Sequence, residues 1–413
     1  MPSDPKTTDP GLSLLTGADV DDLLATTLAR AGGRVLRWSL RDVDHRPGNR
    51  TTATYAAQVA WPDGEREETL GASVSTGGAG DSRPADQDRL IVTDGDNVVE
   101  MWRFPFDPEL PALAAASIPA AASAMLGTLG VDTADLTLRV VSYRPRRRAV
   151  VEVTTRSARL YLKVMRPRIL ADVYHRHLLL ADAGLPVAHV RGRSEEGILV
   201  LDALDGTPMR SALDRHGARA SRPDELVQLL DHLPDVVRQL PRRAPWSAHA
   251  AHYAGVVAAA LPEQADQLRT LAADIDVELR PYGEGDEPTH GDFYEAQLMV
   301  TDGAVTGLLD VDTLGPGRRA DDLACMLAHL SVLTVMEPDG APGVRAALQH
   351  WQGQFERHVS PHELRARAAG VALSLATGPF RAQEPGWARA TADRLALAER
   401  WLESAGHGTA GAL

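Results

Sequence analysis

Cysteine, lysine and long hydrophobic runs are scarce in this sequence. The lack of cysteine pairs and the lack of long apolar runs each exclude a class of protein. The single cysteine, Cys325, excludes a disulfide framework, and the apolar run 323–327 around it predicts a small buried side chain rather than a nucleophile. No run approaches about 18 apolar residues, and residues 1–5 lack the basic and apolar parts of a signal peptide. We therefore expect a cytoplasmic protein without a membrane partner.

Charge and composition set further limits on the partners. The 43 Lys and Arg residues are outnumbered by 56 Asp and Glu residues, which leaves a net charge of −13. Such a balance argues against nucleic acid as a partner and is compatible with cationic substrates. The 413 residues, 44% of them hydrophobic, suffice for two or three domains with a sizeable core. Abundant Ala, Gly, Arg and Asp with little Lys is typical of a GC-rich bacterial genome.

The most informative motif is an aspartate in a turn, Asp292, followed five residues later by Gln297 and then by Asp310. Between them, residues 300–305 surround an Asp-Gly pair, which predicts a β-hairpin that brings the end of the loop and Asp310 onto neighbouring strands. Phosphoryl transfer needs mainly a positioned nucleophile, a nearby base and cations beside the phosphate, and Mg²⁺ prefers oxygen ligands. The pattern predicts that Asp292 accepts a hydroxyl proton and that Gln297 and Asp310 bind the metal.

These residues resemble the aminoglycoside phosphotransferase family, which consists of protein-kinase-like small-molecule kinases. The family motifs are a His-Gly-Asp turn, a Leu-Asp strand and an Asp-Leu-Ala helix start, and they correspond here to residues 290–292, 309–310 and 322–324. The resemblance covers about residues 136–405. It implies an α+β, two-lobed kinase-like fold with a small antiparallel β lobe and a large helical lobe.

The resemblance also implies an activity and its cofactors. The γ-phosphate of ATP or GTP would be moved, with Mg²⁺, to a hydroxyl of a small-molecule acceptor such as an aminoglycoside, a sugar or an amino alcohol. His290 would brace the loop by hydrogen bonding, and Asp312 would be an auxiliary acid beside the metal ligands. Asp322 is expected to cap or brace a helix start rather than to take part in catalysis.

Nucleotide-binding residues are implied by the same resemblance. Lys163 lies in the alternating run 159–165 and corresponds to the lysine that binds the α- and β-phosphates. The adenine would be held by backbone groups of a hinge that contains Asp202, Ala203 and Leu204.

Three features depart from the family pattern. The family asparagine is Gln297, which is longer by about 1.5 Å. No glycine-rich loop is present, and the basic turn 144–148 either offers Arg146 to a phosphate or is an exposed basic hairpin. The helix after residue 167 lacks the glutamate that pairs with the phosphate-binding lysine, and Asp172 is the nearest acid.

These departures leave two alternatives to a small-molecule kinase. One is a pseudokinase-like scaffold that binds nucleotide or a partner, in which a protein or peptide binds the N-terminal module. The other is a kinase that phosphorylates peptide Ser or Thr during natural-product maturation.

The chain divides by pattern into four segments. We predict a flexible tail at 1–16, an N-terminal β-rich accessory module at 17–128, a kinase-like small lobe at 129–204 and a helical large lobe with the catalytic loop at 205–413. Residues 44–52 resemble residues 142–150 at an offset of 98. We interpret this echo as a hypothesis that the N-terminal module is a copy of the small-lobe hairpin without its lysine strand.

Overall fold

The fold is that of a computed structural model, which describes residues 10–76, 88–94, 97–336 and 342–406. The chain forms two compact units. Unit 1 comprises residues 1–171, 190–203 and 380–385, and unit 2 comprises residues 172–189, 204–379 and 386–413. The predicted accessory module and most of the predicted small lobe therefore lie in unit 1, whereas residues 172–189 of that lobe belong to unit 2. In the described residues no helix is long and apolar enough to cross a membrane.

The chain begins its described part with two helices, α1 (Pro10–Thr16) and α2 (Val20–Arg30). The flexible tail predicted for 1–16 is wrong for Pro10–Thr16, and residues 1–9 lie outside the described part. Leu12 and Leu15 of α1 are buried, and the Leu15 carbonyl accepts a hydrogen bond of 2.7 Å from the buried Tyr55 hydroxyl. Two apolar side chains and a tertiary hydrogen bond offset the cost of ordering this short helix.

The N-terminal module contains a five-stranded antiparallel sheet with the order β1-β2-β3-β5-β4. Its strands are β1 (Arg34–Arg46), β2 (Arg50–Trp61), β3 (Gly64–Thr76), β4 (Arg89–Asp94) and β5 (Asn97–Arg103). Tyr55 and Trp102 are fully buried. Along β2 every residue from Thr51 to Ala57 is buried, and since successive side chains point to opposite faces, this strand is covered on both faces.

The small lobe contains a second five-stranded antiparallel sheet, with the order β6-β7-β8-β10-β9. Its strands are β6 (Thr137–Arg144), β7 (Arg148–Thr154), β8 (Arg159–Met165), β9 (Val190–Ser194) and β10 (Ile198–Asp202). Helices α3 (Leu113–Ser117) and α4 (Pro119–Thr128) lie within the segment predicted as the accessory module, but they pack in one core with this sheet. Helix α5 (Pro167–Asp182) follows β8 and continues into unit 2. Leu160, Leu162 and Val164 of β8 are buried in one core with β7 and β10, as the alternation predicts.

The two sheets have the same strand order, and their first hairpins close in the same way. Arg46 pairs with Arg50, and Arg144 pairs with Arg148 at the offset of 98 found in the sequence. β3, the counterpart of β8, contains no lysine. Helix α5 connects β8 to β9, whereas most of the corresponding connection between β3 and β4 lies outside the described residues. The shared topology agrees with the hypothesis of an internal copy.

Arg146, in the turn between β6 and β7, is not an exposed basic residue. It has a positive φ of 60° and is 5% exposed, and its guanidinium pairs with Glu100 and Glu109. Its backbone N–H donates to Asp107 at 2.7 Å. The structure therefore contradicts both predictions for Arg146, namely that it binds a phosphate and that it lies exposed in a basic hairpin. Its charge is already satisfied by buried carboxylates of the N-terminal module.

Unit 2 is mainly helical. Its helices are α6 (Met209–His216), α7 (Pro223–Asp231), α8 (Ala250–Ala260), α9 (Ala265–Leu279), α10 (Arg319–Met336), α11 (Pro342–Phe355), α12 (Pro361–Leu375) and α14 (Trp387–Gly406), while the short α13 (Gly378–Arg381) spans the boundary between units. Trp351, Phe355 and Trp401 are fully buried in its core. Within this core, Arg367 of α12 pairs with Asp321 of α10 at 2.6 Å, which offsets part of the cost of burying both charges.

Short strands connect these helices and position the loops. β11 (Thr207–Pro208), β13 (Leu298–Thr301) and β14 (Ala304–Leu308) form one small sheet, and β12 (Glu287–Thr289) pairs with β15 (Gly315–Gly317). The predicted hairpin is confirmed, since β13 pairs with β14 across Asp302-Gly303. Both turn residues have positive φ, 51° and 83°. An Asp-Gly pair suits such a turn because neither residue is strongly penalised there.

Candidate active site

The His-Gly-Asp loop follows β12 and is hydrogen-bonded to the first turn of α10. The buried carboxylate of Asp322 accepts hydrogen bonds of 2.8 Å from the backbone N–H groups of both His290 and Gly291. Gly291 has a φ of 81°, and a Cβ there would lie 2.7 Å from the Thr313 carbonyl oxygen. Asp322 is thus the loop brace that its place at a helix start predicted. Only glycine fits the sharp turn before Asp292.

His290 links this loop to the segment that carries Asp310. Its Nε2 lies 2.9 Å from the Leu309 carbonyl oxygen, and its Nδ1 lies 3.4 Å from the backbone N–H of Asp292. The ring is fully buried, which lowers its pKa and keeps it neutral. These contacts fit one tautomer, in which Nε2 donates and Nδ1 accepts. His290 therefore braces the two segments, as expected.

Asp292 is half-buried and directly follows Gly291, which lines a cavity in unit 2. Its Oδ1 accepts a hydrogen bond of 3.1 Å from the indole Nε1 of Trp246. The cavity measures about 740 Å³ and is lined by the neighbouring Gly291, by the rings of Trp246, His249 and Tyr253, and by several charged side chains. Aromatic rings beside a few polar groups are typical of small-molecule sites.

Gln297 and Asp310 are joined through the backbone. The Leu309 N–H donates to the Gln297 carbonyl oxygen at 2.8 Å, immediately before Asp310. Asp310 has left-handed dihedrals, φ 51° and ψ 56°, and precedes a 3-10 turn at Val311–Thr313 that contains Asp312. A non-glycine residue in this region is uncommon and clusters at functional sites.

The carboxylates of Asp292 and Asp310 act on a common neighbour, Tyr294. Burial raises the pKa of the Tyr294 phenol, and the charges of Asp292 and Asp310 raise it further. Asp310 and Asp312 both favour protonation of His290, against the effect of burial. The charges of Asp292 and Asp310 thus act on Tyr294, and those of Asp310 and Asp312 act on His290. Carboxylates with the amide of Gln297 form a hard oxygen donor set that fits Mg²⁺.

The predicted nucleotide residues lie mostly in unit 1. Lys163 is 7% exposed on β8, between Val150 of β7 and Leu199 of β10. In the hinge, the Ala203 N–H donates to the Arg159 carbonyl oxygen at 3.0 Å, so Ala203 can offer an adenine its carbonyl group but not its N–H.

The other hinge residues and the helix acid are placed as follows. Asp202 pairs with Arg191 at 2.7 Å, and Leu204 begins the next stretch of unit 2. Asp172, on α5, is exposed. The assignment of Asp172 to the nucleotide site stays a prediction.

Sequence reasoning missed two residues next to the site. Trp246 follows a Pro-rich stretch and carries no motif that would reveal its bond to Asp292. Arg176 of α5 is buried, and its Nε donates to the Leu314 carbonyl oxygen at 3.3 Å, just beyond the turn that contains Asp312. Burial lowers the pKa of Arg176, and the charge of Asp312 opposes that shift. The available sequence signal for Arg176 was its place in the predicted helix, four residues after Asp172.

Burial of the loop brace predicts a pH-dependent effect of Asp322→Asn. Burial raises the pKa of Asp322 from 3.8 to about 7. Between these values the folded protein holds a proton that the unfolded chain has lost, so wild-type stability falls as the pH rises through this window. We expect Asp322→Asn, which does not titrate, to gain stability relative to wild type from pH 4 to pH 8, by up to about 4 kcal/mol. Denaturant unfolding at both pH values measures this gain, and an equal difference at both would contradict it.

The fold and the site together define a class of protein. A β-rich unit with a buried lysine on the third strand of a five-stranded antiparallel sheet, and a helical unit with a braced His-Gly-Asp loop before a hairpin and Asp310, define a kinase-like α+β protein. The profile of the Phosphotransferase enzyme family (APH) matches residues 144–369, more than half of the chain. The chain belongs to this family, as its motifs predicted.

Solved structures similar to this chain include three small-molecule kinases. Aminoglycoside-3'-phosphotransferase of type VIII is 22% identical, with 58% of this chain and 93% of that chain covered and a TM-score of 0.42. Macrolide 2'-phosphotransferase MphH from Brachybacterium faecium is 19% identical, with 66% of this chain and 98% of that chain covered and a TM-score of 0.37. An ethanolamine kinase from Plasmodium vivax is 12% identical, with 64% of this chain and 82% of that chain covered and a TM-score of 0.41. The comparison with curated proteins gave no match.

Proposed function

We propose that this protein transfers the γ-phosphate of ATP or GTP to a hydroxyl group of a small molecule. The observation that carries the proposal is the coupling of the Asp292 loop to the Asp310 segment, through the 2.9 Å contact between His290 and the Leu309 carbonyl. In this proposal the contact holds the base, Asp292, and the metal-binding acid, Asp310, in a fixed relation, next to a loop whose Gly291 lines a cavity of about 740 Å³. Phosphoryl transfer depends on such positioning more than on covalent chemistry.

Each residue has a distinct role in this proposal. Asp292 accepts the proton of the acceptor hydroxyl, and the indole of Trp246 orients its carboxylate. Gln297 and Asp310, with Asp312 as an auxiliary acid, would hold Mg²⁺, which when bound neutralises charge on the phosphate oxygens. His290 keeps the loop in place through its contacts with Leu309 and with the backbone of Asp292. Burial lowers the pKa of its ring, which favours the neutral form.

The cavity beside Asp292 is the proposed acceptor site. Its rings, from Trp246, His249 and Tyr253, offer flat apolar faces, and both arginine and carboxylate side chains lie on its walls. Such a lining suits a polar molecule with a ring, so sugars and aminoglycosides are the first acceptors to test and amino alcohols the next.

A nucleotide-consumption screen tests the activity directly. The full chain is incubated with Mg²⁺ and ATP or GTP over aminoglycosides, sugars, amino alcohols and macrolides, and acceptor phosphorylation is confirmed by mass spectrometry. We expect acceptor-dependent turnover with at least one class. A protein that binds nucleotide tightly but phosphorylates none of these, nor a co-encoded peptide, would instead be a pseudokinase-like scaffold. Phosphate found only on peptide Ser or Thr would indicate the peptide kinase.

The role of Lys163 can be tested by affinity labelling, because the chain contains only two lysines, Lys6 and Lys163. An acyl-phosphate derivative of ATP acylates a lysine that lies next to the bound phosphates. We expect mass spectrometry to find the label on Lys163, excess ATP to prevent it, and Lys163→Met to weaken nucleotide binding by at least about tenfold.

Lys6 serves as the internal control for accidental acylation in the same sample. Labelling of Lys6 and Lys163 to the same extent, without protection by ATP, would remove Lys163 from the nucleotide site.

A further inference from the structure

Two side chains that can bind a metal, Cys325 and His329, lie beside Asp292 and have no part in the proposed reaction. Cys325 and His329 are one turn apart on α10 and therefore share a side of the helix. The Sγ of Cys325, a ring nitrogen of His329 and a carboxylate oxygen of Asp292 all lie within 4.8 Å of one another. Two segments separated by more than thirty residues thus place three different ligand types at one point in unit 2.

The chemistry of this group differs from that of the proposed Mg²⁺ ligands. Thiolate and imidazole ligands favour Zn²⁺ and similar cations, whereas Mg²⁺ prefers oxygen ligands such as those of Gln297 and Asp310. Ligand atoms on a tetrahedral zinc lie about 2.0–2.3 Å from the metal and roughly 3.5 Å from one another. Side-chain shifts of about 1 Å would bring the three atoms to that spacing.

His329 is already in the form and orientation that a metal requires. Its ring stacks on Tyr294 with centroids 3.8 Å apart and an interplanar angle of 17°. Burial lowers its pKa to about 3, with Arg394 and Arg210 adding to the shift, so the imidazole is neutral at physiological pH. A neutral ring held in place by a stacked partner loses little freedom when it binds a cation.

Cys325 is buried near several acidic side chains. Burial raises the pKa of its thiol, and the nearby acids, chiefly Asp292 and Asp322, raise it further. A divalent cation offsets these negative charges and stabilises the thiolate. Arg210 and Arg394, on the His329 side, act in the opposite direction.

We propose that Asp292, Cys325 and His329 form an inhibitory binding site for a thiophilic divalent cation, with Zn²⁺ as the best match. On binding, a sulfur–metal bond replaces the S–H bond of Cys325, and the proton passes to solvent. The cation also occupies the carboxylate that acts as base in the proposed function. Zn²⁺ would therefore stop phosphate transfer. This inhibition rests on the proposed function, whereas the metal binding does not.

Cobalt spectroscopy tests the binding without any activity measurement. Co²⁺ is titrated into the full chain without Mg²⁺ or nucleotide, and the thiolate-to-cobalt absorption band is followed. The band reports Cys325 alone, because the chain has one cysteine. We expect a saturable band that Zn²⁺ abolishes by displacement, that is absent in Cys325→Ser, and whose Co²⁺ affinity falls at least about tenfold in His329→Gln.

Matched variants separate this site from accidental thiol binding. His249→Gln removes a histidine of the neighbouring cavity and should leave the band unchanged, while Asp292→Asn provides a second ligand variant should His329→Gln not fold. Absence of the band in wild type, or an affinity that His329→Gln and Asp292→Asn both leave unchanged, overturns the proposal.

An inhibition assay then tests the regulatory consequence. Once an acceptor is known, Zn²⁺ is added at fixed Mg²⁺ and ATP, and the half-inhibitory concentration is measured for wild type and Cys325→Ser. We expect similar turnover without zinc and at least about tenfold weaker inhibition of Cys325→Ser. Equal inhibition of both proteins contradicts the inhibitory role. Lack of any turnover rejects the proposed function but leaves the cobalt result intact.

Discussion

Replacing Asp292 with asparagine is expected to lower kcat by about 10²- to 10⁴-fold, the usual contribution of a positioned general base. The asparagine side chain keeps nearly the same shape, and its carbonyl oxygen can still accept the 3.1 Å hydrogen bond from Trp246. It cannot take the proton of a hydroxyl group. The loss should therefore appear in kcat measured by nucleotide consumption, with little change in KM for the nucleotide.

Asp302→Asn is the matched control for this substitution. Asp302 lies at an exposed turn between β13 and β14 with a φ of 51°, a conformation that asparagine also tolerates. Both variants should unfold within about 0.5 kcal/mol of wild type, because asparagine keeps the hydrogen bond from Trp246 in the first and tolerates the turn conformation in the second. An Asp292→Asn protein with wild-type kcat would show that another group accepts the proton.

Local rules predicted much of the fold. The Asp302-Gly303 pair gave a hairpin because two residues with positive φ are needed there and both tolerate it. The segment predicted as a helical large lobe is mainly helical, as in α14 at Trp387–Gly406, whose apolar residues recur with helical spacing. Lys163 lies on the expected strand because the alternation around it is strict.

Long-range partners could not be read from the sequence in the same way. The pattern of α1 gave no sign of Tyr55, whose hydroxyl helps to hold that helix in place. Trp246 lies 46 residues before Asp292, and no spacing rule connects an indole to a carboxylate at that distance. Arg146 looked exposed because three arginines in a turn are usually solvated. Its burial depends on acids that lie 37 and 46 residues away.

The buried charges around Arg146 show how the N-terminal module supports the small lobe. Glu100, on β5, is 6% exposed and pairs with both Arg89 and Arg146, which are 4% and 5% exposed. Glu109 adds a second partner for Arg146, at 2.7 Å. The turn that follows β6 is thus fixed by carboxylates of the module. A glycine-rich loop would instead rely on its own backbone.

Glu100→Ala is expected to destabilise unit 1 by about 3–5 kcal/mol, because the change leaves two buried guanidinium groups short of a carboxylate. Glu100→Gln, which keeps the shape and part of the hydrogen bonding, should cost less. Denaturant unfolding followed by circular dichroism gives the size of the loss, and hydrogen exchange should place it at the amides of β5 and β7. Glu67→Ala, on the exposed part of β3, is the matched control and should stay within about 0.5 kcal/mol of wild type. A loss below about 1 kcal/mol in Glu100→Ala would mean that the module does not hold the turn through this pair.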